Sequence, residues 1–592
     1  MLYPTLTEQS VNRQMVDTFR GYNHNLRISD GEFFDMKNMT SNYYPVLSPR
    51  GKRGVYTTPT KANGLISKDS LCYVDGENFI INGKEVRMGL SDSPKTLISM
   101  GAYVIILPDK KYINTENLTD FGNIEASFTT NTAVKFTPCR QDASEYITDS
   151  GAIPTEQPED PENMELWLDT TTTPHSLKQW SATNGMWVTI GTAYVKIESA
   201  GIGKAFEQYD GITISGLDKD LIDSVSGEPL VEPYVKNLNG SAVVWSKGDD
   251  YIVIVGVLDK VRSISNAVTI SRTMPNMDFI VESENRLWGC RYGPSANGQI
   301  VNEIYASKLG DFKNWNCFMG ISTDSYVASV GTDGVFTGAI THLGYPLFFK
   351  ENCVHKVYGN YPANFQIQDT ALRGVQKGCE KSLAIVNEVL YYKARHAVCA
   401  YDGSLPMEVS YVMGDKWYSD AVGAAHGNKY YISMKDNEGY HLFVYDTAKG
   451  MWHKEDNLQA DAFCSCDDEL YAIDHNTGKI ITMLGSGTPD DGKVEWMVET
   501  GELMLSSPDM KYISRLTVRM VLDVGSEAEF FAQYDMSDEW VKLCTMHGTS
   551  LRSFSVPIRP RRCDHMKLRI VGKGDGKIYS ITKTIEQGSE LS

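Results

Sequence analysis

The sequence contains no long run of apolar residues. Its longest such run, residues 251–258 (YIVIVGVL), is far shorter than the roughly 20 residues that a membrane-spanning helix needs. The N-terminal residues, MLYPTLTEQSVNRQMVDTF, contain no apolar stretch typical of a secretory signal. We therefore expect synthesis in the cytoplasm and no association with a membrane.

Residue pairs at metal-ligand spacing are also missing. The eleven cysteines are scattered over the chain without a CxxC pair, and the closest spacing is that of Cys464 and Cys466. The eleven histidines never occur two or four positions apart. This pattern argues against a zinc module and a disulfide framework, and it predicts buried free thiols in a reduced protein. We expect neither a metal nor a cofactor.

Catalytic motifs are absent as well. The sequence has no GxSxG, no HExxH and no phosphate-binding GxxxxGK[ST], and no pair of carboxylates stands out as acid and nucleophile. Residues 572–576 (GKGDG) are rich in glycine but lie between two predicted strands, which favours a hairpin turn over a phosphate site. The sequence therefore predicts that the protein is not an enzyme.

Positive charge is scarce. The chain has 56 Lys and Arg against 75 Asp and Glu, a net charge of −19, whereas wrapping duplex DNA requires many basic contacts to phosphate. Two basic clusters stand out, at residues 50–53 (RGKR) and 559–569 (RPRRCDHMKLR). Because guanidinium groups pair well with fixed carboxylates, we interpret these clusters as contacts to an acidic neighbouring subunit. The candidate subunit-interface residues are Arg50, Lys52, Arg53, Arg559, Arg561 and Arg562.

The dominant pattern is a short alternating strand closed by a turn, and it recurs along the chain. Aromatic landmarks of similar segments fall at Trp288, Phe348, Tyr391, Tyr431 and Tyr471, at steps of 60, 43, 40 and 40 residues. Four strands with tight turns need about 40 residues, the size of one β-propeller blade. Two earlier segments, around residues 71–73 and 103–106, fit the same unit and bring the total to about seven blades. We predict a mainly β protein built on a propeller, with a β-sandwich of coincidental spacing as the alternative.

The step between residues 104 and 288 is too long for one blade and predicts an insertion. A Pro- and acid-rich stretch, residues 153–162, precedes Trp167, Trp180 and Trp187, which indicate a small β-meander similar to modules of phage tail proteins. After residues 489–492 (PDDG) the strands become longer, which predicts a C-terminal antiparallel β-sandwich. The predicted division is an N-terminal extended docking segment (1–60), a first part of the propeller (61–127), the inserted Trp-rich β module (128–262), the remaining blades (263–488) and the sandwich (489–592).

Several segments carry a family resemblance. Residues 19–23 (FRGYN), 30–33 (DGEF), 36–39 (MKNM) and 44–50 (YPVLSPR) resemble the start of the tail-nozzle, or packaged-DNA-stabilisation, proteins of tailed bacteriophages. The blade-like segments 284–288 (ENRLW), 304–307 (IYAS) and 347–350 (LFFK) are similar to the same family. The resemblance covers residues 1–120 and 276–485 loosely, and it leaves out the insertion and the last domain.

This resemblance implies a structural virion protein of the tail or neck, made in the cytoplasm of the bacterial host. It implies a homomeric ring of about six copies. The ring would lie below the portal, in contact with portal or adaptor and other tail proteins, and would conduct and retain double-stranded DNA without sequence recognition. The net charge of −19 agrees with a conduit that repels the duplex. In such a ring the six basic residues named above would lie at subunit interfaces.

The competing interpretation is a phage tail protein with a carbohydrate-binding or glycosidase-like propeller. Trp167, Trp180 and Trp187 are its candidate residues, because an exposed aromatic face can stack on a sugar ring. The ordinary role of such residues is to form the core of a small module that has few other large apolar side chains. Glycan binding that is lost in Trp167→Ala or Trp187→Ala would favour carbohydrate recognition.

Overall fold

The computed structural model describes residues 11–146, 152–217, 233–265, 267–505, 510–535 and 537–587. In these ranges strands dominate, and the mainly β class predicted from the sequence is confirmed. The described residues contain no helix that combines the length and the apolar character needed to span a bilayer. Within the described ranges, the helical segments are one short α-helix, Pro233–Lys236, and four 3-10 turns, Ile202–Lys204, Pro362–Asn364, Glu380–Ser382 and Tyr411–Met413.

A β-propeller forms the centre of the molecule, and seven blades are seen among the described residues. The innermost strand of each blade packs against that of the next blade, and the seventh packs against the first; between blades four and five the 3-10 turn Glu380–Ser382 makes the contact. From the inside outward, the strands of blade one are Ala62–Ser67, Leu71–Asp75, Asn78–Ile81 and Lys84–Arg87, and those of blade two are Thr96–Met100, Tyr103–Leu107, Lys111–Asn114 and Phe121–Asn123. In the same order, blade three has Phe279–Ser283, Arg286–Pro294, Ile300–Ala306 and Tyr326–Ser329; blade four has Gly338–His342, Tyr345–Lys350, Cys353–Tyr358 and Gln366–Ala371; and blade five has Ala384–Val386, Val389–Lys393, Val398–Tyr401 and Met407–Glu408. Blade six has Ser419–His426, Lys429–Lys435, Tyr440–Asp446 and Met451–Lys454, and blade seven has Ala460–Cys466, Glu469–Asp474, Ile480–Thr482 and Gly54–Thr57, with Thr488–Pro489 at its edge.

The sequence period reflects one packing position that is repeated in successive blades. Trp288, Phe348, Tyr391 and Tyr431 each lie in the second strand of their blade and are buried. The ring is closed by a strand from the other end of the chain, because Gly54–Thr57 pairs with Ile480–Thr482 and completes blade seven.

The insertion between blades two and three is a β unit with its own apolar core. Strands Ala126–Thr129 and Thr269–Arg272 pair with each other and place its two ends side by side. The unit therefore extends beyond the predicted range 128–262. The prediction was too narrow because the terminal strands of the unit show the same alternation as the strands of a blade. It comprises a four-stranded sheet (Ala126–Thr129, Thr269–Arg272, Gly211–Ser215, Gly240–Val243), a five-stranded sheet (Ser246–Gly248, Tyr251–Val255, Tyr194–Glu198, Val134–Cys139, Arg262–Ile264) and a three-stranded meander (Leu166–Asp169, Ser176–Ser181, Met186–Thr189).

The C-terminal region differs from the separate sandwich that the sequence predicts. The predicted strands within residues 511–534 are one continuous strand, Lys511–Tyr534, which changes its partner from Gly576–Gln587 to Met566–Lys573 where its register shifts. Three N-terminal strands join the same sheet. Its order is Val11–Val16, Gly576–Gln587, Lys511–Tyr534, Met566–Lys573, Glu495–Thr500, Glu32–Lys37 and Gly21–Tyr22, with Val541–Val556 paired to Lys511–Tyr534.

The N-terminal segment is integrated into the fold, although the sequence suggested an extended docking arm. Phe33 and Met36 share one core with Trp452 of blade six and with Leu516 of the C-terminal sheet. The short strands Met39–Thr40 and Ser48–Pro49 pair with each other just before the chain enters blade seven. The described part of this segment therefore connects the propeller to the C-terminal sheet within one chain.

Candidate functional site

The three predicted tryptophans lie together on the meander of the insertion. Alternation along its strands sends Leu166, Leu168 and Leu177 into the core of the insertion, where all three are buried. The tryptophans occupy the opposite face, and each of them is partly exposed. The apolar core of the meander is thus built from leucines, and the indole rings are left at the surface. We call this surface the tryptophan face; it comprises Trp167, Trp180 and Trp187.

Trp187 is the centre of the tryptophan face. Its ring centroid lies 5.5 Å from that of Trp180, its cross-strand partner, with an interplanar angle of 62°. The same distance, with an angle of 65°, separates it from Trp167 on the far strand. Edge-to-face contacts of this kind hold aromatic rings in fixed orientations. The indole nitrogen of Trp167 also donates a hydrogen bond to the carbonyl of Thr155, at 3.4 Å.

A charged pair fixes the middle of this surface. The ammonium of Lys178, on the central strand, lies 4.8 Å from the ring centroid of Trp167 and donates to a carboxylate oxygen of Asp169 at 2.7 Å. Asp169 also accepts hydrogen bonds from the backbone N–H and the hydroxyl of Thr171, at 2.9 and 2.6 Å. The bonds from Lys178 and then Thr171 lower the pKa of Asp169 to about 2. Lys178 and Asp169 were not singled out in the sequence, although they alternate with the tryptophans on the same strands.

Two of the predicted interface residues are unavailable to a second subunit. Arg53 is buried, and its guanidinium contacts carboxylate oxygens of Glu455 and Asp456, each at 2.6 Å. Arg50 is also buried and lies 2.7 Å from Asp491. The assignment of Arg50 and Arg53 to a subunit interface is therefore wrong, because their acidic partners come from the same chain.

The other four basic candidates lie at the surface. Lys52 is exposed between the two buried arginines, and Arg559, Arg561 and Arg562 are exposed on the segment before Met566–Lys573. The guanidinium of Arg561 lies 5.3 Å from the ring centroid of Tyr534. The three arginines share one segment, and Lys52 lies about 500 residues away in the sequence. Their role in assembly stays a prediction.

The propeller encloses a cavity of about 910 Å³ along its central axis. Residues from or next to the first strand of all seven blades line it, and they include Asn63, Glu380 and Asp461. A carboxylate oxygen of Asp461 lies 2.8 Å from Nδ1 of His475. Asn63, Glu380 and Asp461 come from different parts of the ring, so the sequence offered no sign that they lie around one cavity.

One group of potential metal ligands occurs among the described residues: Asp436, Glu438 and His441. The ammonium of Lys416 lies 3.2 Å from Asp436 and 3.3 Å from Glu438. Lys416 contacts both carboxylates and offsets one of their two negative charges, so the cluster resembles an ion-pair network more than a metal centre.

Comparison with protein-family models finds no match, and neither does comparison with curated proteins. Among solved structures, the chain is similar to an exo-β-1,3-galactanase from Phanerochaete chrysosporium bound to galactose, with 9% identity over 51% of this chain and 94% of that chain and a TM-score of 0.21. It is also similar to an engineered GH43 glycoside hydrolase with endo-xylanase and exo-arabinofuranosidase activity, with 8% identity over 52% of this chain and 97% of that chain and a TM-score of 0.19. The tricorn protease shares 10% identity over 79% of this chain and 53% of that chain, with a TM-score of 0.12.

The similar structures bear on one prediction from the sequence. They include glycoside hydrolases, and this finding contradicts the prediction that the protein is not an enzyme. We do not retain that prediction.

Proposed function

We propose that this protein binds carbohydrate through the tryptophan face of its inserted meander. The observation that carries the proposal is that the two faces of the meander differ: three leucines on one face fill the core, and three tryptophans lie on the outer face. Clustered aromatic side chains that are not needed for the core of a soluble protein typically mark a binding surface. The apolar C–H face of a sugar ring packs against an indole as other apolar surfaces do.

The surroundings of the tryptophan face suit a ligand rich in hydroxyl groups. Ser176 and Thr189 lie on the same side of the sheet, by strand alternation, as Lys178 and Trp187. Their hydroxyls can donate and accept hydrogen bonds beside a stacked sugar ring. The rings are held by mutual contacts and by the Lys178–Asp169 pair, so little ordering is required when a ligand binds.

A glycan array tests this proposal. The full-length protein should bind a subset of glycans, and Trp187→Ala should weaken binding about 30-fold or more, which corresponds to about 2 kcal/mol for a central aromatic contact. Trp417→Ala is the matched control, because Trp417 is an exposed indole in another part of the molecule. Trp187→Phe, which keeps an aromatic ring, should retain part of the affinity. Failure of the wild-type protein to bind any glycan, or equal binding by Trp187→Ala, would overturn the proposal.

A second candidate function is a structural role in a phage virion. The exposed arginines Arg559, Arg561 and Arg562 in a chain of net charge −19 support it, because a basic surface patch on an acidic protein suits contact with another copy of that protein. In this proposal a ring of about six copies lies below the portal and conducts the genome. The double variant Arg561→Glu, Arg562→Glu should then abolish ring assembly. Intact rings that lose the packaged DNA would instead indicate that these residues hold nucleic acid.

A further inference from the structure

An acidic segment borders the tryptophan face. Between Arg140 and Lys178 the sequence contains no lysine or arginine, and within this stretch residues 156–165 carry five carboxylates. Four of them are exposed, and no ion pair within the described structure neutralises any of the four. These four residues, which we call the acidic rim, are Glu156, Glu159, Asp160 and Glu162.

Hydrogen bonds at both ends of the acidic rim fasten it to the meander. On one side the backbone N–H of Leu168 donates to the carbonyl of Pro154 at 2.8 Å, next to the bond between the Trp167 indole and Thr155. On the other side the backbone N–H of Met164 donates to the carbonyl of Trp180 at 3.0 Å. The rim is therefore held between two points that adjoin the outermost tryptophans.

The positive charge on the tryptophan face does not offset the rim. Lys178 is the only lysine or arginine in the meander strands, and its ammonium is already paired with Asp169 at 2.7 Å. The face and its border therefore carry a net negative charge. At physiological ionic strength charges interact over about 8 Å, which is the scale of a single sugar ring and its neighbours.

From these contacts we infer that the tryptophan face selects uncharged glycans and rejects glycans that carry sulfate, sialate or uronate groups. The inference rests on the proposed carbohydrate-binding function. The stacked rings supply affinity for any sugar with an apolar face. The acidic rim supplies discrimination, because an anionic substituent placed beside the rim meets like charges that no ion pair among the described residues neutralises.

The test uses pairs of glycans on an array that differ only by one anionic group, such as N-acetyllactosamine and its sulfated and sialylated forms. Wild-type protein at low salt should bind the uncharged member about three- to tenfold more tightly, a range set by a few exposed charges at this spacing. Raising the salt to about 0.5 M, where screening acts within about 4 Å, should reduce the difference. Discrimination that does not change with salt would contradict an electrostatic origin.

A neutralised rim provides the decisive variant: Glu156→Gln, Glu159→Gln, Asp160→Asn and Glu162→Gln combined. It should bind uncharged glycans as the wild type does and lose its discrimination against their anionic forms. A control with the same change in net charge elsewhere should keep the discrimination: Glu116→Gln, Asp467→Asn, Asp468→Asn and Glu539→Gln combined, all at exposed positions.

The two possible failures are distinguishable. If wild-type protein binds uncharged and anionic glycans equally, and binding still depends on Trp187, the inference about the rim is wrong and the proposed function stands. If no glycan binds, or if binding is independent of Trp187, the proposed function itself fails. If the neutralised rim prefers uncharged glycans as strongly as the wild type does, the discrimination has another source and the inference is overturned.

Discussion

Replacing Arg53 with alanine should destabilise the strand pairing that closes the propeller. We call this pairing, between Gly54–Thr57 and Ile480–Thr482, the seam. Arg53 directly precedes Gly54–Thr57, the strand that completes blade seven, and it is 7% exposed. Its guanidinium joins this strand to Glu455 and Asp456, both at 2.6 Å, at the end of blade six. Burial opposes the charge on Arg53, but these two carboxylates outweigh it and raise the pKa of the guanidinium above its ordinary value.

The expected cost follows from what the substitution leaves behind. Without Arg53, the ion-pair partner that Glu455 keeps among the described residues is Arg50 at 3.8 Å. Asp456 keeps Arg50 at 3.5 Å and the backbone N–H of Leu458 at 3.2 Å. Removing one partner of a buried ion pair costs about 3–5 kcal/mol, because the remaining charge stays desolvated. Each 1.4 kcal/mol is a factor of ten, so the seam should open about two to four powers of ten more often. Burial raises the pKa of Asp456, but Arg53 and Arg50 outweigh this effect and hold the pKa below its usual value. In the variant this pKa should therefore rise.

Native-state hydrogen exchange measures this opening directly. Exchange of the amides of Gly54–Thr57 and of its partner Ile480–Thr482 should accelerate in Arg53→Ala, and that of the C-terminal strand Met566–Lys573 should change much less. Lys52→Ala is the matched control, since Lys52 is the exposed neighbour of Arg53 and should change stability by less than about 0.5 kcal/mol. Wild-type exchange in Arg53→Ala, combined with loss of self-association, would refute this reasoning and restore the interface assignment.

Three further expectations concern buried groups. Burial, reinforced by Lys350, lowers the pKa of His355 from 6.5 to about 4, so only the unfolded chain gains a proton between pH 6.5 and about pH 4. The contribution of His355 to the free energy of unfolding should therefore be constant above pH 6.5 and should fall by about 1.4 kcal/mol per pH unit between pH 6.5 and about pH 4. Urea titrations of His355→Gln should lack this slope. Gly21→Ala should lower the melting temperature more than Gly76→Ala, because both glycines have positive φ but only at Gly21 would the new Cβ lie 2.3 Å from the carbonyl oxygen of Trp452; equal shifts would contradict this packing. Ellman's reagent should titrate at most two thiols rapidly in the native protein and eleven in urea, since nine of the eleven free cysteines are buried; fast reaction of more than two would contradict the described core.

The sequence predicted the propeller because one position recurs from blade to blade. A large side chain in the second strand is buried in successive blades, as at Phe348 and Tyr391, and the length of a four-stranded sheet sets the spacing. This regularity is local, so it is visible in the order of residues. It was enough to find five landmarks and to count about seven units.

Pairings between distant parts of the chain left no such signal. Arg53 meets Glu455 only because the N-terminal strand closes blade seven, and nothing near residue 53 indicates a partner about 400 residues away. The basic cluster at residues 50–53 therefore suggested an exposed contact, whereas two of its three charges are buried. The same reason explains why Val11–Val16 could not be assigned to the sheet of Gly576–Gln587.

The tryptophan face was predicted in part. The alternation in Leu166, Trp167 and Leu168 indicates two faces of a strand, but it does not say which face meets the rest of the insertion. The structure answers this because the two leucines join a core that contains strands far along the chain, such as Tyr251–Val255. The sequence could thus name the three tryptophans as candidates without deciding between core and surface.

Titration of the glycan that binds most strongly on the array tests the central claim most directly. Isothermal titration calorimetry with wild type, Trp187→Ala and the control Trp417→Ala compares the central indole of the tryptophan face with an exposed indole elsewhere. We expect Kd to rise about 30-fold or more in Trp187→Ala and to stay unchanged in Trp417→Ala. An unchanged Kd in Trp187→Ala, in a protein that retains wild-type thermal stability, would contradict the assignment of the tryptophan face as the carbohydrate-binding surface.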